Sequence, residues 1–410
     1  MPVGGVIDAW RWLTDPYGWL DRAVARRGLT FRARLPTHGE PLVTGDPELI
    51  REIVRCPDLD GGHGVAALRE AFGGESLISL DGDAHRERRR LVAPWLREPR
   101  LERHDGLTAE AVRDAVAELP DAPFSAYELV RKISLRVIVP VVLGALPDAE
   151  TRATESLTAA FLGSFSSPLV LFSRALHRRV GPWGRAMRHR ERLTRHLREL
   201  LRRARAGDVD RDSVLGGLLP ELSDDEIVAE VLALLLFGHD TGAATLAWAM
   251  AHLAQAPRAW ERIRDDGEGR FVDACLLESM RLCPVVVHLT RVARMDLDLG
   301  GHPLAAGERV LPSAYVAQRN PALYPDPGRF VPERFLDRPP PRHAYFPFGF
   351  GTRTCVGEPF VRRQMSRVLV ALARRLDLAL APGYRPRPVR HLVLVIPEGG
   401  ARLVARRRGP

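Results

Sequence analysis

The chain has 410 residues, 45% of them hydrophobic and 27% charged, with 60 Lys plus Arg against 51 Asp plus Glu. That apolar fraction excludes an intrinsically disordered chain, and the length allows a large buried core. Four scattered cysteines, Cys56, Cys275, Cys283 and Cys355, form no Cys-x-x-Cys pair, which excludes a disulfide scaffold and argues against structural zinc.

A net charge of +9 is compatible with nucleic acid, an anionic membrane or an acidic protein as partner. Lys132 is the only lysine, however, and arginine codons of a G+C-rich genome produce such a bias without any function. A nucleic-acid-binding protein remains the distant alternative, because neither a helix–turn–helix nor an aromatic-interleaved basic patch occurs. Residues 1–30 carry no apolar run behind a basic start, so no secretory leader is expected. No uncharged apolar run reaches about 18 residues, so no membrane span is expected either. A cytoplasmic protein with reduced cysteines follows as the expectation.

In chain order, short apolar segments between turn residues predict strands near 30–35, 41–44, 295–299, 308–311 and 391–396. Three-to-four spacing of Leu, Val and Ala predicts helices over 83–97, 106–118, 125–143, 149–164, 183–206, 271–282 and 357–376. A long helix begins at Ser223, where Glu226 completes a capping box, and runs to about Ala256, where Pro257 stops it. From Val231 onward it is apolar nearly all round, so it must cross the interior. No repeat or linker divides the chain. The expected fold class is mainly α with small β-sheets, in one large helical domain spanning 1–410. Its helix-rich parts are 61–284 and 313–376, and its β-rich parts are 28–60, 285–312 and 377–410.

Residues 346–359 read Phe-Pro-Phe-Gly-Phe-Gly-Thr-Arg-Thr-Cys-Val-Gly-Glu-Pro and precede an amphipathic helix. Such a loop delivers one cysteine to a helix N-terminus, where free amides and the helix dipole favour a thiolate. Gly351 and Gly357 are expected to take backbone conformations denied to other residues. Phe348 supplies an apolar wall, and Arg353 a cation two residues before the sulfur. A thiolate of this kind is a nucleophile or a metal ligand. The other three cysteines read as inert core.

The string FxxGxRxCxG, with Phe348, Gly351, Arg353, Cys355 and Gly357 at its fixed positions, resembles the haem-binding signature of the cytochrome P-450 superfamily. The resemblance runs from about residue 30 almost to the C-terminus. It implies that Cys355 is the axial ligand of haem b, in a helical domain with the long helix over the distal face. Glu278 and Arg281, three apart on a helix with apolar flanks, match the family's Glu-x-x-Arg, and Arg334 in Pro332-Glu333-Arg334-Phe335 completes that network by resemblance. In Phe237-Gly238-His239-Asp240-Thr241 the family places its oxygen-activating residues. Thr241 is implied to face the oxygen-binding position and Asp240 to relay protons from solvent. Two residues depart from the pattern. Phe237 replaces the usual Ala or Gly and is expected to narrow the pocket unless the helix register shifts locally, and Gly242 replaces the usual Thr or Ser.

His85 and Arg89 match the family's His-x-x-x-Arg, and with Arg291 and Arg353 are the implied partners of the haem propionates. Leu234, Phe237, Gly238, Val287, His288, Leu289 and the stretch Leu392 to Leu394 are implied contacts of a largely apolar substrate, with His239 and His288 as polar handles. The expected activity is a monooxygenase of bacterial type that inserts one atom of dioxygen (O2) into an organic substrate, in keeping with a secondary-metabolite intermediate. Electrons are expected from NAD(P)H through a ferredoxin reductase and a ferredoxin, since no flavin or iron–sulfur signature occurs. Arg86, Arg88, Arg90, Arg362, Arg363 and Arg367 are the expected ferredoxin-docking face of a monomer. The alternative within the fold is a peroxygenase or isomerase, and the Asp240-Thr241 pair argues against it.

Overall fold

The computed structural model describes residues 10–35, 38–61, 74–97, 100–164, 181–208, 210–391 and 393–408. The first two complete helices, α1 (Pro16–Arg27) and α2 (Pro47–Arg55), start alike and are not among the helices expected from the sequence. Asp15 accepts from the Gly18 amide at 3.0 Å and Asp46 from the Glu48 amide at 2.9 Å. Each is followed by proline, which has no N–H to leave unpaired in a first turn. Strands β1 (Thr30–Arg32), β2 (Leu42–Thr44) and β3 (Leu59–Asp60) alternate with them.

Helix α3 (Gly82–Val92) is shorter than its apolar pattern. Pro94 cannot donate to the helical ladder, and Ala93–Leu96 tightens into a 3-10 turn. Then come α4 (Asp105–Ala117), β4 (Phe124–Ser125), α5 (Ala126–Leu143), α6 (Asp148–Gly163), α7 (Gly181–Arg205) and the one-turn α8 (Val214–Leu218). The long helix, α9 (Asp224–Leu253), opens on the capping box, with Glu226 accepting from the Ser223 amide at 3.1 Å. Pro257 is the first residue of the next helix, α10 (Pro257–Asp266), rather than the last of α9.

The rest of the chain contains α11 (Arg270–Leu282), β5 (Arg291–Ala293), β6 (Leu297–Leu299), β7 (His302–Leu304), β8 (Arg309–Pro312) and α12 (Ala314–Gln318). After the cysteine loop follow α13 (Glu358–Arg375), β9 (Leu376–Leu380), β10 (Pro388–His391), β11 (Leu394–Pro397) and β12 (Arg402–Arg407). The largest sheet has the order β1-β2-β8-β5-β3, in which only β2 and β8 run parallel. The smaller sheets are β4-β12-β9 and the hairpins β10-β11 and β6-β7.

At 1.5 Å per residue α9 is about 45 Å long. By length and composition it would cross a membrane, but most of it is buried inside this protein. Its small side chains let neighbours come close. A Cβ on Gly238 would lie 3.2 Å from the Ile138 side chain of α5, and one on Gly242 would lie 2.9 Å from Val361 of α13. The second contact explains why glycine stands at 242. At the far end Trp248 donates its indole N–H to the Val395 carbonyl of β11 at 3.0 Å.

Arg88 corrects one expectation. It is buried, pairing with Glu226 at 2.7 Å and Glu230 at 3.2 Å, and Glu230 also accepts from the Leu77 amide at 2.9 Å. Arg88 therefore clamps α3 to the start of α9 and cannot share an exposed face with Arg86 and Arg90. Residues two apart on a helix point to different sides.

Candidate functional site

Between Ile227 and Ala251 every position of α9 is buried except Leu234, Phe237, Gly238 and Thr241. These four fall at i, i+3, i+4 and i+7, on one helix face. An accessible stripe on a helix otherwise enclosed by protein lines an internal space. The helix runs unbroken through 237–241 with no change of register, so Phe237 projects from this stripe. The Thr241 hydroxyl donates to the Phe237 carbonyl at 2.9 Å.

The cysteine loop is closed by the Cys355 amide, which donates to the Phe348 carbonyl at 2.7 Å. Its left-handed turns fall at Gly349 (φ 79°) and Gly351 (φ 63°). Gly357 has an ordinary φ of −89°, so its glycine is not a conformational requirement. A Cβ there would sit 4.0 Å from the Cys355 sulfur, and glycine keeps that side of the sulfur open. Cys355 is accessible, whereas Cys275 and Cys283 are buried. Burial raises the Cys275 thiol above its ordinary range and pushes the Cys283 thiol up to about 12.

Desolvation also raises the Cys355 thiol, against the opposing pull of the Gly357 and Glu358 amides and the Arg89 guanidinium. A cation bound to the sulfur would add to the pull of these amides and favour the thiolate.

Arg89 acts on the sulfur, Arg89 and Arg353 act on His85, and Arg353 acts on Arg291. Arg89 donates to the Thr354 carbonyl at 2.6 Å. Arg353 donates to the Leu77 carbonyl at 3.2 Å, to the Leu80 carbonyl and to the Asp81 carboxylate. Arg291 is buried, its guanidinium 5.1 Å from the Phe350 ring centre, and burial lowers it to about 10. Burial, with Arg353 and Arg89 alongside, lowers His85 to about 4. Among the described residues the group at neutral pH holds three guanidiniums, a neutral imidazole and one carboxylate, Asp81, an excess of two positive charges.

Asp240 lies on the buried side of α9, away from the accessible stripe. It accepts from the Tyr127 hydroxyl at 2.5 Å and lies 3.3 Å from Arg131 of α5, which also pairs with the exposed Glu128 at 3.1 Å. Desolvation and the neighbouring Asp240 hold the Tyr127 phenol far above its ordinary range, so it stays protonated and donates. His391 meets the Tyr127 ring edge-on at 5.7 Å. Tyr127, Arg131 and Asp81 were not among the expected site residues. They become partners only through contacts between residues more than a hundred apart in the chain.

Glu278 and Arg281 are completely buried and joined by two hydrogen bonds of 2.7 and 2.9 Å. Arg334 donates to the same carboxylate at 3.2 Å, as does the Val331 amide at 2.9 Å. Arg281 also donates to the carbonyls of Gln318, Pro327 and Arg329 at 3.1, 2.9 and 3.1 Å.

In the segment after α11, Val285, Val286, His288 and Leu289 are partly exposed, but Val287 is only 2% exposed. The Val287 carbonyl accepts from Ser313, and its side chain belongs to the core, so it is not brought to the accessible space with the others. Leu289 packs toward Phe346 and Phe350 of the cysteine loop. His239 is buried and back-bonded to the Leu235 carbonyl at 2.6 Å. Val393 is partly buried and Leu394 buried, while Leu392 lies outside the described residues. Arg363 and Arg367 share Asp105 at 2.7 and 3.0 Å, Arg367 also pairs with Glu268 at 3.4 Å, and Arg362 is 3.5 Å from Glu358, which weakens the expected basic face.

The sequence profile of the cytochrome P450 family matches residues 40–404. A Mycobacterium tuberculosis protein with the provisional name cytochrome P450 137 is 30% identical over 400 residues, covering 93% of this chain and 84% of the relative. Another, provisionally cytochrome P450 138 of Mycobacterium bovis, is 30% identical over 405 residues, covering 95% and 91%. Among solved structures, CYP175A1 of Thermus thermophilus superposes with a TM-score of 0.79 at 26% identity, covering 96% of this chain and 95% of that one. The cyanobacterial CYP120A1, solved with retinoic acid bound, gives 0.85 at 22% identity, covering 98% and 96%. The fold, the cysteine loop and these matches together establish that the chain belongs to the cytochrome P450 family.

Proposed function

We propose that this protein is a haem-thiolate monooxygenase in which Cys355 binds the iron of haem b and Arg89, Arg291, Arg353 and His85 receive the propionates. The observation that carries this reading is the pairing of an accessible cysteine with a cation cluster in excess by two charges. Two propionates would neutralise that excess, and iron would supply the cation that the desolvated sulfur lacks. The residues present fit the group. When bound, the haem supplies reductive activation of dioxygen, with the thiolate favouring cleavage of the O–O bond.

The chain's own residues do the rest. Leu234, Phe237, Gly238 and Thr241 wall the reacting space with apolar surface, and Phe237 limits how close a bulky substrate comes to the centre. The Thr241 hydroxyl turns from the Phe237 carbonyl to donate into that space. Asp240 is held in place by Tyr127 and Arg131 and relays protons from solvent. Overall, one atom of dioxygen enters a C–H bond of the substrate. The other leaves as water, consuming two electrons and two protons.

Electrons come from a separate ferredoxin reduced by NAD(P)H through its reductase. The chain works as a single-domain monomer in the cytoplasm on a largely apolar secondary-metabolite intermediate.

Purified protein reduced under carbon monoxide should show the red-shifted Soret band of thiolate ligation. Absence of haem, or a band typical of histidine ligation, would overturn the assignment. In turnover, Thr241→Ala should divert electrons to hydrogen peroxide. Asp240→Asn should slow product formation about a hundredfold, the lower end of what a positioned proton donor contributes. Product formed per NAD(P)H consumed, followed with peroxide release, measures both. Unchanged coupling would assign proton delivery to other groups.

A further inference from the structure

Arg390 of β10 reaches across to the start of the chain. Its guanidinium lies 4.4 Å from the centre of the Trp12 ring, and its Nε donates to the Trp12 carbonyl at 3.4 Å. Its Nη2 is shielded from water and has no hydrogen-bond partner. Trp12 stacks on His288 at 4.9 Å, with the rings inclined by 29°, and His288 meets His38 edge-on at 5.7 Å. Four remote parts of the sequence thus build one aromatic and cationic cluster.

The charges around it share one sign. Arg390 and Arg309 act on His38, and Arg309 also donates to the His38 carbonyl at 3.5 Å. His38 and Arg390 act on His288. The Tyr17 phenol beside Arg390 is uncharged at neutral pH, because burial raises it well above its ordinary range. Among the described residues no carboxylate pairs with Arg390. Burial lowers His38 to about 4 and His288 well below its ordinary value, so both rings are neutral at pH 7. Arg390, lowered by burial to about 10, stays protonated. A shielded guanidinium N–H with no acceptor is costly, and an anion is the partner that removes the cost.

Arg89, Arg291 and Arg353 belong to the separate group around His85 and Asp81, whereas the Arg390 guanidinium stands over Trp12. The cluster reaches the candidate site through His288, in the partly exposed segment 285–289.

We propose that Arg390, flanked by Trp12 and His288, binds the carboxylate of a substrate whose remaining body is apolar, and so sets the substrate class as organic acids. This deepens the monooxygenase reading and rests on it. Trp12, stacked between Arg390 and His288, fixes the guanidinium in place, and Nη2 donates to one of the carboxylate oxygens.

Isothermal titration calorimetry of the haem-loaded protein tests this with octanoic, dodecanoic and hexadecanoic acids and their methyl esters. At least one acid is expected to bind about tenfold or more tightly than its ester, as a charge-assisted hydrogen bond allows. Arg390→Gln should lower the acid's affinity to that of the ester, and Arg390→Lys should restore part of the difference. If no acid binds more tightly than its ester, the proposal is wrong, and this comparison needs no variant. It is equally wrong if Arg390→Gln keeps the preference, including the case in which that variant loses haem instead. Calorimetry reads binding and not oxygen insertion. A failure here is therefore distinct from a missing thiolate band.

Discussion

Replacing Cys355 by alanine is expected to abolish the red-shifted carbon monoxide band and all oxygen insertion, in a protein that still folds. The side chain makes no packing contribution that its loss would expose, since Cys355 is accessible and its amide, not its sulfur, closes the loop onto Phe348. Circular dichroism and the unfolding midpoint should therefore stay near wild type while haem retention falls. Arg89→Ala is the graded comparison. Arg89 touches the Thr354 carbonyl and acts on the sulfur from outside, so its loss should cost about 10–100-fold in haem affinity, the usual effect of removing an outer partner of a metal site. A Cys355→Ala protein that kept the thiolate band would remove the ligand assignment. An Arg89 variant as damaged as the cysteine variant would remove the ranking.

Arg281→Ala should be the most destabilising single change among the residues discussed. It breaks a fully buried pair and strands the Glu278 carboxylate, and three carbonyls, those of Gln318, Pro327 and Arg329, lose their donor. Removing one partner of a buried ion pair costs about 3–5 kcal/mol, a large part of the whole stability of a domain. Arg281→Lys should rescue little, because one ammonium cannot serve two carboxylate oxygens and three carbonyls in a planar fork. Urea unfolding and the yield of soluble haem-loaded protein measure the loss. A shift below about 1 kcal/mol, the range of an exposed pair, would show that water or another cation replaces the guanidinium. Any Arg281→Ala protein that does fold should keep its turnover per haem, which separates a structural role from a catalytic one.

Contiguous signals were legible in the sequence, and partnerships across the fold were not. The cysteine loop and the Glu278–Arg281 pair each sit within one local stretch, where spacing alone decides which groups share a face. The helix starts at Asp15-Pro16 and Asp46-Pro47 were equally legible as capping chemistry, and in the second helix Leu49, Ile50 and Ile53 add an apolar stripe. Arg88 shows the opposite error. Read as one of a run of cations, it looked like surface. The helical angle between positions 86 and 88 already sends it to the other side, where Glu230 waits. Tyr127, Arg131 and Arg390 carry no local signal at all. A tyrosine or arginine on an amphipathic element is ordinary until tertiary packing decides what stands opposite it. The thiol of Cys355 is a subtler case, since the helix N-terminus was visible and the desolvation that opposes it was not.

Strand β10 has a consequence of its own. Neighbouring residues on a strand face opposite ways, so Arg390 looks toward Trp12 and His391 toward Tyr127 and Asp240. The strand separates the Arg390–Trp12 contact from the His391–Tyr127 contact. Its register against β11 runs from the Pro388–Pro397 pair to the His391–Leu394 pair. Adding or removing one residue in the turn between His391 and Leu394 would slip that register and exchange the two faces. An arginine would then stand beside the proton route and an imidazole beside Trp12. The length of this turn is therefore under as much constraint as any side chain it serves.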